Sequence, residues 1–289
     1  MTQVAVISGK GGTGKSSISA AFATLDSKVV IADCDVDAAK LYLLFNPVHE
    51  DESVYIGGHK AVINYDTCTG CGICADYCRF DAISVRNGRI VIYSTSCDGC
   101  FLCSRICPSN SIKMIQNDRS RMYSGSFRNG KMVYGRIAPG EENSGKLVTM
   151  IREKAKLVAR ENDLKIIILD GPPGIGCPVI STITGVDKIV IVTEPTISGL
   201  HDLQRAFEVV KKSGTQAYVI INKFDLNKDM SLKIDEWCNN SGLKVTGHLP
   251  FEPDVVNAMV KGLSIIELNA ESVISRMIAA IWTKYLKPK

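Results

Sequence analysis

Two groups of residues in this chain have the types and the spacing to do chemistry. The first is Gly9-Lys10-Gly11-Gly12-Thr13-Gly14-Lys15-Ser16, which fits G-x4-G-K-[ST] between an apolar run, Val4 to Ser8, and a helical stretch of small residues, Ser16 to Leu25. Glycines there let backbone N–H groups close around phosphates, and the helix N-terminus adds positive potential. Lys15 would reach the outer phosphates and Ser16 would offer its hydroxyl to magnesium. The second group is two four-cysteine runs, Cys68, Cys71, Cys74 and Cys78, then Cys97, Cys100, Cys103 and Cys107. Soft thiolates at close, regular spacing select iron–sulfur clusters or zinc. Zinc sites usually pair two cysteines with two more a dozen or so residues away. Four in a run, repeated, with Pro108 after Cys107, point instead to two [4Fe–4S] clusters.

The elements that must position these groups read as an α/β protein. Val29–Ala32, Ile166–Leu169, Ile189–Val192 and Tyr218–Ile221 are all-apolar runs, and they alternate with helical spacing at 147–160 and around 199–212, 229–241 and 271–286. Continuous apolar strands between helices imply a doubly wound, mainly parallel sheet covered on both faces. After Asp37 a helical stretch is expected. At about residue 60 the composition turns cysteine-rich, so residues 60–115 read as a small inserted α+β domain within an ATPase-type domain of residues 1–59 and 116–289. The insert is itself a repeat: Phe80-Asp81-Ala82-Ile83 closes one half and Ser109-Asn110-Ser111-Ile112 the other. Asn87-Gly88 between two apolar runs signals a hairpin. From Ile115 to Tyr134 a polar, glycine-bearing linker with hairpin strands is expected.

Bulk properties narrow the possibilities. The formal charge of +4 is small, so nothing demands a nucleic-acid partner. Each four-thiolate cluster would carry about −2, which would roughly cancel that excess. Eleven cysteines would suit a disulfide-rich secreted protein, but the chain opens as MTQVAVISGKGG, without a signal-peptide pattern. A reducing cytoplasm is the expected location. No apolar stretch is long enough to suggest a membrane span.

Both groups also carry family resemblances. The cysteine spacing resembles that of bacterial two-cluster ferredoxins, in which the fourth cysteine of each run ligates the other cluster. This implies Cys68, Cys71, Cys74 and Cys107 on one cluster and Cys97, Cys100, Cys103 and Cys78 on the other. Cys78 is followed by Arg79 where proline is usual. With Lys10, the phosphate loop resembles the deviant Walker A loop of the MinD/Mrp ATPases, a family that includes the nitrogenase iron protein. The resemblance implies that Lys10 crosses a dimer interface to the partner's nucleotide, and that Gly11, Gly12, Thr13, Gly14, Lys15, Ser16 and Ser17 hold Mg-ATP. Val29–Asp37 looks like the first switch of that family, with Asp35 orienting the attacking water and Asp37 or Asp33 near the metal, although strand-end aspartates also serve as helix caps. Ile166–Gly174 looks like the second switch, with Asp170 joining Ser16 and Asp37 in the magnesium shell. Asn222-Lys223-Phe224-Asp225 matches the guanine-reading N-K-x-D pattern. In the MinD/Mrp family an asparagine there reads adenine, and a loop like Leu249–Pro253, with Pro250, closes over the base. ATP is therefore expected, with GTP as the alternative.

Three cysteines fall outside the runs. Cys34 and Cys238 read as buried thiols. Cys177, seven residues after Asp170, aligns with a cluster-bridging cysteine of the nitrogenase iron protein or simply caps a switch helix. Glu141–Lys146 reads as a solvated helix cap, with Asn143 or Ser144 at the N-cap. The amphipathic stretch Val273–Trp282 reads as a core-packing helix, not a membrane anchor. The sum is an ATPase acting as a homodimer, or paired with a paralogous ATPase, that couples nucleotide state to electron transfer or to iron–sulfur or metallocluster assembly on a client redox protein. Two alternatives are a cluster carrier switched by ATP and a positioning ATPase with redox-sensing clusters.

Overall fold

A computed structural model describes residues 1–139, 141 and 144–288. Its strands are β1 (Thr2–Ser8), β2 (Val29–Asp33), β3 (Val48–Tyr55), β4 (His59–Ile63), β5 (Ile83–Arg86), β6 (Arg89–Ile92), β7 (Ile112–Gln116), β8 (Ser120–Phe127), β9 (Gly130–Arg136), β10 (Ile166–Pro173), β11 (Lys188–Thr193), β12 (Gln216–Asn222) and β13 (Lys244–Leu249). Nine of them form one sheet in the order β13-β12-β11-β1-β10-β2-β9-β8-β3. From β13 to β9 every neighbouring pair is parallel, and β8 and β3 close the far edge as antiparallel partners.

The inner strands are apolar throughout because both faces are covered. In β1, Ala5 and Ile7 join a cluster with the helices Ser144–Glu161, Ile197–Ser213 and Lys228–Asn240. Val4 and Val6 join the opposite cluster with the helices Lys15–Thr24 and Val273–Ile281. Trp282 stacks on Phe22 there, ring centroids 5.3 Å apart, so the C-terminal amphipathic stretch packs into the core. Among the described residues no helix is long and apolar enough to cross a membrane.

The structure corrects the sequence expectation at the antiparallel edge. The helical stretch after Asp37 is only Leu41–Phe45, and β3 follows it. Its sequence, VHEDESVY, is mostly exposed, as suits an edge strand whose charges discourage further pairing. The hairpin strands expected after Ile115 are β8 and β9, but they form no linker, because β9 is an integral strand lying parallel to β2. Arg128 in its turn pins the hairpin: its guanidinium bonds the Glu267 carboxylate and the Gly262 carbonyl (2.8 Å) and lies over the Phe45 ring.

Between β3 and β8 the chain leaves the sheet. Tyr55 pairs with Ser120 at that exit, whereas Val48 and Ser126 lie at the other end of the ladder, toward Arg128. Since Asp33 pairs with Tyr134 and Val29 with Gly130, the exit lies at the carboxyl end of the parallel strands. The excursion pairs β4 with β7, from His59–Gln116 to Ile63–Ile112, and β5 with β6. Asn87 and Gly88 both take positive φ in the β5–β6 turn, as a two-residue hairpin requires. Its halves are related by a pseudo-twofold: Asn64 N–H donates to the Ser111 carbonyl at 2.7 Å, and Tyr93 N–H to the Ala82 carbonyl at 2.8 Å. It has its own apolar cluster, built on Ala61, Ala82, Ile83, Ile90, Ile112 and the thiols of Cys74 and Cys97.

Candidate functional site

The phosphate loop turns from β1 into the helix Lys15–Thr24, whose N-cap Gly14 has φ 89°. A side chain at Gly14 would strike the Asn222 amide at 2.3 Å, and one at Gly9 would strike the Asp202 carbonyl at 2.4 Å. Those two glycines therefore admit neighbouring elements against the loop. Lys15 is buried, with its ammonium 3.1 Å from Asp170 Oδ1. Ser19 Oγ donates to the same oxygen at 2.8 Å. Burial alone would depress the Lys15 pKa, but Asp170, Asp35 and Asp33 together raise it, so the lysine stays charged.

Negative charge exceeds positive charge around that lysine. Burial, then repulsion from Asp170, pushes the Asp33 carboxyl up to about 7. Burial also raises Asp35, with Lys15 opposing the rise. Asp170 Oδ2 and Thr13 Oγ1 are buried with no hydrogen-bond partner. An excess of carboxylate with an orphaned oxygen suits a divalent cation as the missing partner. Asp33 itself is spent on the backbone: it accepts from the N–H groups of Asp35, Lys40 and Leu41 at 3.0–3.1 Å. It thereby ties the segment from Cys34 to Leu41 to the end of β2. Asp35 and Asp37 line the open cleft along the loop, together with Ser16, Ser17 and Pro172. Cys34 N–H donates to the Asp170 carbonyl at 2.8 Å, tying the end of β2 to β10. Cys34 and Cys238 are fully buried thiols.

Lys10 points away from its own phosphate cleft. Its ammonium lies 2.6 Å from Glu194 and donates to Ser198 Oγ at 3.0 Å. The same carboxylate takes Lys223 at 3.3 Å, and Lys223 also donates to the Gly12 carbonyl. Sequence reasoning passed over Glu194, although Thr193-Glu194-Pro195 places an acid at the carboxyl end of a strand beside the loop strand. Ser19 was missed too.

On the other side of the loop lies a cavity of about 190 Å³ walled by Gly12, Ser17, Asn222, Pro250, Phe251 and Ile274. Asn222 Nδ2 donates to the Thr13 carbonyl at 2.8 Å. Asp225 is engaged elsewhere, accepting from Phe251 N–H at 2.7 Å and so fastening the Leu249–Pro253 loop.

Among the described residues no three His, Cys, Asp or Glu side chains converge tightly enough to hold a single metal ion. The eight thiols instead stand around two cavities. One is walled by Cys68, Cys71, Cys74 and Cys107. The other is walled by Cys97, Cys100, Cys103 and Cys78, with Cys74 between the two. The first cavity thus draws three thiols from one run and Cys107 from the other, and the second draws three from the second run with Cys78 and the shared Cys74 from the first. Burial raises the thiol pKa of Cys74 and lifts that of Cys103 to about 11, an environment that keeps a bare thiol protonated and leaves thiolate formation to a bound cation.

Cys177 joins neither set. It is exposed at the start of the helix Cys177–Ile183, in a shallow recess with Ser144, Lys146 and Ser181. The expected N-cap Asn143 lies outside the described residues, and the helix begins at Ser144.

Residues 4–265 match the family described as the CobQ/CobB/MinD/ParA nucleotide binding domain. The chain is 34% identical over 285 residues to an uncharacterised protein of Methanocaldococcus jannaschii, covering 98% of this chain and 95% of that one. Among solved structures it is similar to the cell division ATPase MinD of Pyrococcus furiosus, at TM-score 0.58 and 17% identity, covering 97% of this chain and 96% of that one. The septum site-determining protein MinD from Pyrococcus horikoshii, complexed with Mg-ADP, gives the same score and identity over 99% of this chain and 96% of its own. At that identity the likeness speaks for the fold.

Proposed function

Because the chain belongs to the CobQ/CobB/MinD/ParA nucleotide-binding family, we propose that it binds and hydrolyses Mg-ATP and couples nucleotide state to electron transfer, or to iron–sulfur or metallocluster assembly, on a client protein. One observation supports the coupling: eight thiols stand around two cavities, each lined by cysteines of both runs, on an excursion that leaves the sheet at the carboxyl end where the phosphate loop also lies. Open α/β sheets bind ligands at that end.

In the nucleotide cleft, loop amides and Lys15 neutralise phosphate charge, and Ser16, Asp37 and Asp170 hold magnesium. Asp35 orients the attacking water. Catalysis is then positioning plus charge stabilisation. ATP is favoured over GTP because Asp225, the residue that would read guanine, is bound to Phe251 N–H. Lys10 acts in trans within a homodimer, or within a dimer with a paralogous ATPase, once it leaves Glu194. In the inserted domain, Cys68, Cys71, Cys74 and Cys107 hold one [4Fe–4S] cluster and Cys97, Cys100, Cys103 and Cys78 the other. Such clusters supply one-electron storage when bound. The reducing cytoplasm is the compartment these thiols suit.

The test is anaerobic reconstitution of the full chain. Roughly eight irons per chain are expected, with a reduction potential or oxidation rate that shifts on adding Mg-ATP, and with turnover lost in Asp35→Ala. Clusters that ignore Mg-ATP would overturn the coupling. Iron passed readily to an apo-acceptor would favour a carrier. The MinD likeness over nearly the whole chain supports a second reading, a positioning ATPase. That role would be marked by a response to a membrane or polymer partner that survives loss of the cysteines.

A further inference from the structure

The pseudo-twofold of the excursion is broken at one place that matters chemically. After the last cysteine of the second run come Ser109 and Ser111, and the matching positions after Cys78 are Phe80 and Ala82. The backbone is the same in both halves: Asn110 and Asp81 take φ 51° and 49°, and each donates its N–H to the carbonyl of the preceding cysteine. The side chains differ, and so does one backbone bond to sulfur. Ser109 Oγ lies 3.6 Å from Cys107 Sγ, and Ser111 N–H donates to the same sulfur at 3.3 Å. The buried Ser111 hydroxyl is held 2.8 Å from Ser109 Oγ and accepts from Thr67 Oγ1 at 2.9 Å. The Cys107 cavity therefore has a hydroxyl chain directed at its sulfur. The other cavity meets Tyr77, Phe80, Ala82, Leu102 and Met114 instead.

The two cavities also differ in position. Ile63 and Ile112, at the far end of the β4–β7 ribbon, wall the Cys107 cavity. At the attached end, the Phe101 ring of the other cavity lies 5.0 Å from His59, and Lys60 donates to the Cys97 carbonyl. One site is proximal to the ATPase sheet and the other distal; both have apolar walls, and the distal one adds the Ser109 and Ser111 hydroxyls.

Donors aimed at a cluster sulfur stabilise the extra negative charge of the reduced state and raise its potential, whereas apolar walls disfavour that charge. At the proximal site Lys60 and Asp98 carry opposite charges, so the contrast rests on the donors at Cys107. Resting on the cluster assignment above, we propose that Ser109 and Ser111 make the distal site the higher-potential one, so that electrons move outward from the sheet. An external one-electron donor reduces the proximal site. That site is reoxidised as the distal one gains the electron, with no bond broken and no proton carried.

The test is an EPR-monitored redox titration of the anaerobically reconstituted full chain, with dithionite as reductant. Two separated one-electron steps are expected. Ser109→Ala with Ser111→Ala should lower the upper potential and leave the lower in place. Ala82→Ser should raise the lower potential, and an unchanged iron count verifies that each variant still assembles. A single two-electron step in the wild type, or movement of the lower potential on removing the hydroxyls, would overturn the proposal. A wild-type chain that takes up no iron and sulfide would overturn the cluster assignment itself, a result visible before any titration.

Discussion

The nucleotide cleft and the cysteine cavities are both built to hold charged groups, yet they stand differently without them. Around the phosphate loop most charged groups already hold one another: Lys15 is on Asp170, Lys10 and Lys223 are on Glu194, and Asp33 is on three backbone amides, with Asp170 Oδ2 left over. The strands beneath are buried on both faces. In the excursion the thiols are themselves part of a small apolar cluster, and its two helices, Ile73–Asp76 and Leu102–Ile106, are single turns. Such a module has little core of its own, and with the proposed clusters it would gain its stability from metal binding. On that proposal one site is preorganised, and the other is completed by what it binds.

The contrast can be broken most directly by chelation. Stripping iron should abolish amide protection across 59–116 while the nine-stranded sheet keeps its own, as read by hydrogen–deuterium exchange; uniform loss would show one cooperative unit. Next is Lys15→Met, which removes the phosphate-facing cation and leaves Asp170 uncompensated. Turnover should fall by about 10²–10³-fold, with iron content unchanged. A smaller effect is expected for Glu194→Gln, which releases Lys10 and Lys223. ATP-dependent dimerisation should then occur at lower protein concentration and turnover should rise several-fold; a fall would mean that Glu194 holds Lys10 in its working position.

The smallest effect concerns pH. The Asp33 carboxyl is raised to about 7 in the fold from an ordinary 3.8. Between those values the folded state keeps a proton that the unfolded chain has lost, so stability should fall as pH rises. The melting temperature without nucleotide should drop by a few degrees from about pH 4.5 to 7.5, and Asp33→Asn should flatten that fall.

What the sequence disclosed follows from range. The phosphate loop and the cysteine runs are local patterns, and the buried strands are locally apolar, so each was readable where it stood. β3 was not, because an edge strand gains from the charges of His49-Glu50-Asp51-Glu52 that disguise it. β9 was not, because its place in the sheet depends on β2, distant in sequence. Glu194 was overlooked because its meaning depends on two lysines from separate loops, and Asp33 has its role from a backbone path that no spacing rule describes. The serines after Cys107 were visible in the repeat, but their bearing on the sulfur needed the folded distances.

Arg128 gives the β8–β9 hairpin a mechanical character. A ribbon fastened at its turn and laddered to β2 on one side and β3 on the other is held in register along its whole length. Its open end brings Tyr134, beside Asp33, next to the strand where Ser120 leads out of the excursion, so the end of β2 and the cysteine module are joined by two adjacent backbone ladders.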